Sequence, residues 1–301
     1  MTHYLDPKND LVFKRIFGEH PDLLLSFLNA LMPFEPDRKI ESVEYLPAEL
    51  VPENPAKKFS IVDVRCKDNY GRQFIVEMQM YWSTAFFNRM MFNVSKAYVR
   101  QLNSGEDFEL LQPVYGLGIL NENFDHKTTD FYHHYQTINR NNSDETVKGL
   151  ELVLVELVKF KPENAVDRKM AVLWLRFLKE VREQCTQVAE ELLANDDIRK
   201  AVDICEESGF TPAELAAYEK YWDSIRTEKA LLRVSHAEGH AEGHAEGRAE
   251  GEREKSIQVV KNSYEAGFPV ETIAVITGLT VEEVNAILRI NREGLNKEEK
   301  P

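Results

Sequence analysis

Cysteine is scarce in this chain: Cys66, Cys185 and Cys205 are the three found among 301 residues. Their spacing matches neither a zinc-binding pattern nor a disulfide framework, which fits a reducing compartment. No stretch approaches the ~18 consecutive apolar residues of a membrane-crossing helix, so no membrane partner is expected. The opening MTHYLDPKND has neither the basic start nor the apolar run of a secretion signal, and the expected location is the cytoplasm. Positive charge is also in short supply. The chain has 37 Lys and Arg against 51 Asp and Glu, a net charge of −14, which argues against a generally basic nucleic-acid binder. The deficit is uneven. Residues 1–100 hold 13 acidic and 13 basic residues, 101–200 hold 18 and 12, and 201–301 hold 20 and 12. The first third is therefore neutral, and a bound metal ion can supply local positive charge that side chains lack.

A hydrophobic content of 43% with 10% aromatics is enough for a substantial core, either one domain with an appendage or two domains. Four segments are expected: a mixed α/β domain over 1–160, a helical extension over 161–230, a tetrapeptide-repeat helix or linker over 231–253, and a small helix-turn-helix-like unit with a tail over 254–301. In the first segment the apolar spacing predicts a helix over 9–17 closed by Gly18, and a second over 21–32 stopped at Pro33. A strand is predicted over 40–51. Ser83 or Thr84 caps a long helix to about 102, with Phe86, Phe87, Met90, Met91, Val94, Ala97 and Tyr98 as its apolar positions. Strands follow over 112–120, 129–139 and 150–160. The helical extension is expected to cover the sheet or form an interface.

The chemistry concentrates between Ser60 and Met80. Strand alternation puts Ile61, Asp63 and Arg65 on one side and Val62, Val64 and Cys66 on the other. In the next strand Phe74, Val76, Met78 and Met80 form an apolar stripe, and Ile75, Glu77 and Gln79 take the opposite face. The link from Lys67 to Arg72 carries Asp, Asn and Gly, which suit a hairpin turn. A hairpin centred near Tyr70 sets Asp63 directly across from Glu77, with Cβ atoms about 5 Å apart. Two carboxylates that close repel unless a cation or a proton lies between them. A hard divalent ion takes oxygen ligands and keeps several waters, so this pair suits a metal held against a phosphodiester. Taken alone, the same pattern also describes the solvated face of a half-buried sheet. His133 and His134 are adjacent on a strand and face opposite sides, so neither is carried as a candidate.

From His236 to Gly251 a four-residue unit repeats: three copies of His-Ala-Glu-Gly, then Arg-Ala-Glu-Gly. Each Gly costs about 1 kcal/mol against Ala in a helix, which disfavours an isolated helix. The small-residue stripe suits close self-association instead, so a dimer is expected. His236, His240 and His244 stand at helical spacing for a transition metal, though repeat expansion of a solvated stripe is the plainer and preferred explanation. Beyond the repeat, Gly267-Phe268-Pro269 breaks one helix, and helices over 270–276 and 281–290 flank a turn at Thr277-Gly278-Leu279-Thr280. Helix, Gly-containing turn and helix is a helix-turn-helix pattern. Glu282 and Glu283 open its last helix, where DNA phosphates would be repelled.

The order helix, three strands, helix, strand, with Asp63 on one strand and Glu77-Met78-Gln79 on the next, resembles the PD-(D/E)XK nuclease superfamily. The detail is similar to the recombination-promoting nuclease (Rpn) branch, also labelled PD-(D/E)XK nuclease family transposases. The opening Asp6-Pro7-Lys8-Asn9-Asp10 with Phe13-Lys14 and Phe17-Gly18 resembles that family's start, and Phe87-x-Arg89 resembles its following helix. The small-residue repeat and Ile273-Ala274-x-x-Thr277-Gly278-Leu279 match its C-terminal character.

The resemblance implies metal-dependent DNA cleavage in a bacterial cytoplasm, linked to recombination or mobile elements. Asp63 and Glu77 would ligate Mg²⁺, with Mn²⁺ or Ca²⁺ as alternatives, and Asp10 matches an extra acidic position. Asp10 equally suits a helix N-terminus through the helix dipole. Gln79 stands where many superfamily members have Lys, and an amide gives a water less electrostatic help than a charge. Lys14 and Arg65 are candidates for the missing charge, with surface ion pairing as their plainer role. Arg89 is a candidate phosphate contact. The alternative reading is a nuclease-like fold, weakly active or inactive, that binds DNA or protein.

Overall fold

In a computed structural model, the described residues are 2–34, 38–50, 58–165, 169–183 and 185–298. They divide into two units, Met1–Thr227 and Glu228–Pro301. The first is built on a six-stranded mixed sheet with helices on both faces.

Helix α1 (Asp10–Glu19) starts where Asn9 caps it by accepting the Leu11 N–H, and it buries Val12, Phe13, Ile16 and Phe17. It runs through Gly18 rather than closing there. The stop comes from Pro21, which opens α2 (Pro21–Leu31) and holds His20 in an extended conformation. The strand expected over 40–51 is two pieces, β1 (Val43–Tyr45) and β2 (Glu49–Leu50). Pro47 falls between them and cannot donate to a ladder; residue 51 lies outside the described residues. Strand β2 pairs with β3 (Ser60–Ile61) in a separate two-stranded ribbon.

The hairpin is β4 (Val64–Asp68) and β5 (Gln73–Gln79), in the antiparallel register Val64↔Val76 and Arg65↔Ile75. Its turn uses Gly71 at φ +79°, a conformation that favours glycine. Asp68 locks the turn by accepting from the Arg72 N–H at 2.9 Å and from Arg72 Nε at 2.6 Å. The unbroken strand expected over 60–66 is interrupted by a bend at Val62-Asp63. Val62 therefore packs with Ile75 and the helix that follows the hairpin, whereas Val64 and Cys66 pack on the other face.

Helix α3 (Thr84–Val99), capped by Ser83, is the crossover that makes β6 (Val114–Leu120) parallel to β5. It ends at Val99 rather than 102, and Met91 faces outward. Phe86, Met90, Val94 and Ala97 lie against the sheet. Gly116 and Gly118 provide the room: an added Cβ would stand 2.6 Å from Leu152 Cδ2 at Gly116 and 2.7 Å from Leu154 Cδ2 at Gly118. Strand β7 (Tyr132–Asn139) and β8 (Asn142–Glu156) complete the sheet, β8 parallel to β6 and β7 antiparallel at the edge. Strand β8 begins at Asn142, well before the expected 150. Its first half is an exposed polar ribbon without an apolar period to mark it.

The second face is covered by α1, α2, α4 (Lys169–Glu180) and α6 (Asp196–Ile204), with the short α5 (Glu190–Leu193) between the last two. Helix α7 (Pro212–Glu265) opens with a reciprocal cap: Thr211 N–H donates to Glu214 Oε2 at 2.7 Å and the Glu214 N–H to Thr211 Oγ1 at 3.3 Å. The four-residue repeat is helical throughout. A Cβ added at Gly239, Gly243, Gly247 or Gly251 would meet nothing within 4 Å. The His240 and His244 rings stand 4.7 Å apart; the His236 side chain lies outside the described residues.

In the second unit, α8 (Val270–Thr277) and α9 (Val281–Glu298) join at Gly278, φ +71°. Val260, Ile273, Ala274 and Val284 form its core. Glu283 caps α9, accepting from Thr280 N–H and Oγ1 at 2.8 and 2.9 Å, which accounts for an acid at that helix start. No helix among the described residues is long and apolar enough to cross a membrane.

Candidate active site

Strand β5 lies between β4 and β6, and its alternation turns Glu77 and Gln79 toward α3. Glu77 keeps only 5% of its side chain exposed. Its Oε1 accepts from Asn93 Nδ2 at 3.0 Å, and its Oε2 from Arg89 Nη2 at 3.0 Å. The same Arg89 nitrogen donates to Gln79 Oε1 at 2.9 Å, while Gln79 Nε2 donates to the Tyr81 carbonyl at 2.9 Å. Asn93 was not expected. Its signal is a polar residue inside the apolar stripe of Phe86, Met90 and Ala97, and it is fully buried.

Asp63 stands one residue ahead of β4, where continuing the register sets it opposite Glu77. The ladder does not reach that far. A side chain takes the place of a ladder bond: Asp63 Oδ2 accepts the Met78 N–H at 2.8 Å. Its Oδ1 lies 3.8 Å from Lys14 Nζ, and Lys14 is held at 2.7 Å by Asp10 on the preceding turn of α1. The structure thus brings together Asp10, Lys14, Asp63, Glu77, Gln79 and Arg89. Arg65 is elsewhere, contrary to its expected role. It donates to Gln73 Oε1 at 2.9 Å and to the Pro47 carbonyl, toward the turn end of the hairpin.

Burial, and then the charge of Glu77, push the Asp63 carboxyl up to about 7; Asp10 adds to this, and the Met78 N–H and Lys14 oppose it. Burial also raises Glu77, against the pull of Arg89, Asn93 and Lys14. Desolvation acts to lower Lys14, but its hydrogen bond to Asp10 and the charge of Asp63 raise it overall. Burial is the larger cause at both carboxylates, and Arg89 and Lys14 offset it only in part.

This has a consequence for stability. From the ordinary carboxylate value of 3.8 up to about 7, the folded chain holds a proton at Asp63 that the unfolded chain has released. Stability is lost as pH rises through that window. Asp63→Asn removes the ionisation and keeps an acceptor for Met78. In EDTA at pH 8 it is expected to be more stable than wild type, by on the order of 2–4 kcal/mol, with the gap closing toward pH 4. Identical thermal melting at both pH values would contradict this.

Among the described residues no group of three or more His, Cys, Asp or Glu stands at metal-ligand spacing. The Asp63 and Glu77 pair nevertheless suits a hard divalent ion. It offers carboxylate oxygens from two neighbouring, largely buried side chains, and such an ion completes its shell with water. Asn93 Oδ1, beside Glu77, is buried with no partner among the described residues and would accept from such a water.

His133 and His134 do face opposite ways, but His133 lies on the carboxylate face, paired in register with Leu154. It bonds Glu156 Oε1 at 2.8 Å, and Glu156 is fully buried. Glu156 also accepts from Lys159 Nζ at 2.7 Å and from the Phe124 N–H at 3.0 Å. Lys159 in turn donates to the Asp125 carbonyl. Together these fasten the segment after β6, whose first residue, Asn121, donates its N–H to the Gln79 carbonyl at 2.9 Å.

No curated protein and no solved structure matches the chain. A family profile does, over residues 7–234, which include both carboxylates, their helix and all six sheet strands. With a mixed sheet, a crossover helix and an Asp and a Glu converging from adjacent strand positions, this chain belongs to the PD-(D/E)XK nuclease family transposases.

Proposed function

We propose that the chain is a divalent-metal-dependent DNA endonuclease that hydrolyses phosphodiester bonds at Asp63 and Glu77, in the service of recombination or mobile elements. The observation that carries this is the convergence of two largely buried carboxylates at the end of the hairpin, where the charge of Glu77 adds to burial in raising Asp63. Asp63 and Glu77 would hold the ion, Mg²⁺ or in its place Mn²⁺ or Ca²⁺. Bound there, a divalent ion acidifies a water and stabilises charge on the phosphate.

The remaining roles fall to this chain's own side chains. Gln79 has both ends of its amide in use, so it fixes Arg89 rather than activating water. Lys14, 40% exposed, is the cation next to Asp63 and takes the electrostatic part that Gln79 lacks. Arg89, 46% exposed, presents its outer edge to a phosphate while steadying Glu77. Asp10 sets the position of Lys14.

Supercoiled plasmid is expected to be nicked in Mg²⁺ or Mn²⁺ and left intact in EDTA. Lys14→Ala should slow the reaction about tenfold to a hundredfold. Plasmid left intact by wild type in every metal would sink the proposal. The second reading, a weakly active or inactive DNA-binding protein, draws on the Arg89–Glu77 ion pair and on the neutral Gln79. Retarded but uncut DNA would favour it.

A further inference from the structure

A cavity of about 820 Å³ opens at the other end of the sheet, on its other face. Tyr115 marks its position. It pairs in register with Phe74 and with Glu151, and it packs on the side of α1 and α2. Glu77 pairs with Gly118 on the α3 side. The cavity is thus separated from the carboxylates by the sheet itself and by about 10 Å along the strands. It forms where the β4–β5 turn meets the bulged part of the β7–β8 ribbon. The register shift at Gln136/Thr137 bends that ribbon, and Gln136, Thr146 and Lys148 line the space beside it.

Three kinds of group converge there. Phe34, Tyr70 and Tyr115 supply rings, with Phe34 set edge-on to Tyr115 at 5.3 Å. Arg38, Arg72 and Lys148 supply positive charge. Arg72 is buried, with its guanidinium carbon 4.2 Å from the Phe34 ring centre and 4.9 Å from the Tyr70 ring centre. Its Nε is taken by Asp68 and its Nη2 by the Arg38 carbonyl, which leaves Nη1 without an acceptor among the described residues. Arg38 and Lys148 have no ion pair among the described residues. The third element is an acceptor: Glu151, with Oε2 held at 2.7 Å by His134 Nε2.

We propose that this cavity binds a nucleoside monophosphate. The phosphate meets Arg38, Lys148 and Arg72 Nη1, the base lies on the rings, and a sugar hydroxyl or base amine donates to Glu151. A bare anion would leave the rings unused and be repelled by Glu151, whereas a nucleotide engages all three groups. The size also suits it, since small-ligand cavities run from about 300 to 1,000 Å³. The site is independent of the carboxylate pair and does not rest on the cleavage reading.

Calorimetric titration of the full chain in EDTA tests this, with AMP, GMP, CMP, UMP and dTMP as probes and with adenosine and inorganic phosphate alongside. At least one nucleotide is expected to bind with Kd below about 1 mM, and about tenfold or more tighter than adenosine or phosphate. Tyr70→Ala and Lys148→Glu, at exposed positions, should each weaken it about tenfold without lowering the melting temperature, and Asp63→Ala should leave it unchanged. No nucleotide binding tighter than phosphate, or binding that both cavity variants retain in full, would overturn the proposal. Either result leaves the plasmid-nicking test untouched.

Discussion

Asp63→Ala and Glu77→Ala are each expected to slow metal-dependent nicking at least about a thousandfold, equivalent to about 4 kcal/mol of transition-state stabilisation. Each removes one of the two carboxylates that meet at the end of the hairpin, and among the described residues the neighbouring carboxylates are already engaged. Asp10 is tied to Lys14, and Glu156 is enclosed by His133, Lys159 and the Phe124 N–H. The two losses should not add, because one ligand without the other holds no ion well; the double variant should be about as slow as either single one. Glu77→Gln is the sharper control. It keeps an acceptor for Arg89, and its NH2 can donate to the unpartnered Asn93 Oδ1 once the Asn93 amide turns over, so the local packing survives while the charge goes. An active Glu77→Gln protein with normal metal dependence would move the chemistry away from this pair.

Trp174→Ala is expected to cost about 3–5 kcal/mol of stability, read by urea unfolding. Trp174 has no exposed surface, and its ring stands 5.4 Å from Phe17, 5.5 Å from Phe27 and 5.8 Å from Phe177. Its Nε1 donates to Ser26 Oγ at 3.2 Å, and Ser26 donates onward to Asp197 Oδ2 at 2.6 Å. One side chain therefore joins α4, α2, α6 and, through Phe17, α1. Since α1 carries Asp10 and Lys14, cleavage by the surviving folded fraction should also fall. Trp174→Phe keeps most of the ring contacts and should cost less than half as much. A loss below about 1 kcal/mol for the alanine variant would show that the cavity collapses onto neighbouring side chains.

Local punctuation made much of this fold legible. Pro21, the Ser83 cap, the Asp68–Gly71 turn and the Gly278 break all act within a few residues, where chain stereochemistry alone decides the outcome. The face of β5 was readable for the same reason, since strand alternation is local and Glu77 had to fall beside Gln79. The bend at Val62-Asp63 was not. Residues 60–66 alternate without interruption, and the break arises because β3 pairs with β2 while β4 pairs with β5 and β1. Arg65 followed the alternation correctly and still missed the carboxylates, because its side chain reaches toward Gln73 instead. Long-range partner choice also hid the start of β8, which is held by β7 rather than by burial. Asn93 was legible in principle: a buried amide in an apolar stripe must find a partner, and here that partner is Glu77.

The fastening around Glu156 bears on how such a protein can diversify. The segment after β6 is gripped at Phe124 and Asp125, and resumes its grip at Phe131, whose carbonyl accepts the Glu156 N–H at 2.7 Å. Between those anchors, residues 126–130 are exposed. Insertions or exchanged residues there would leave the frame intact. This stretch rises from the same end of the sheet as Gln79, so the sequence there can change while the carboxylates stay as they are.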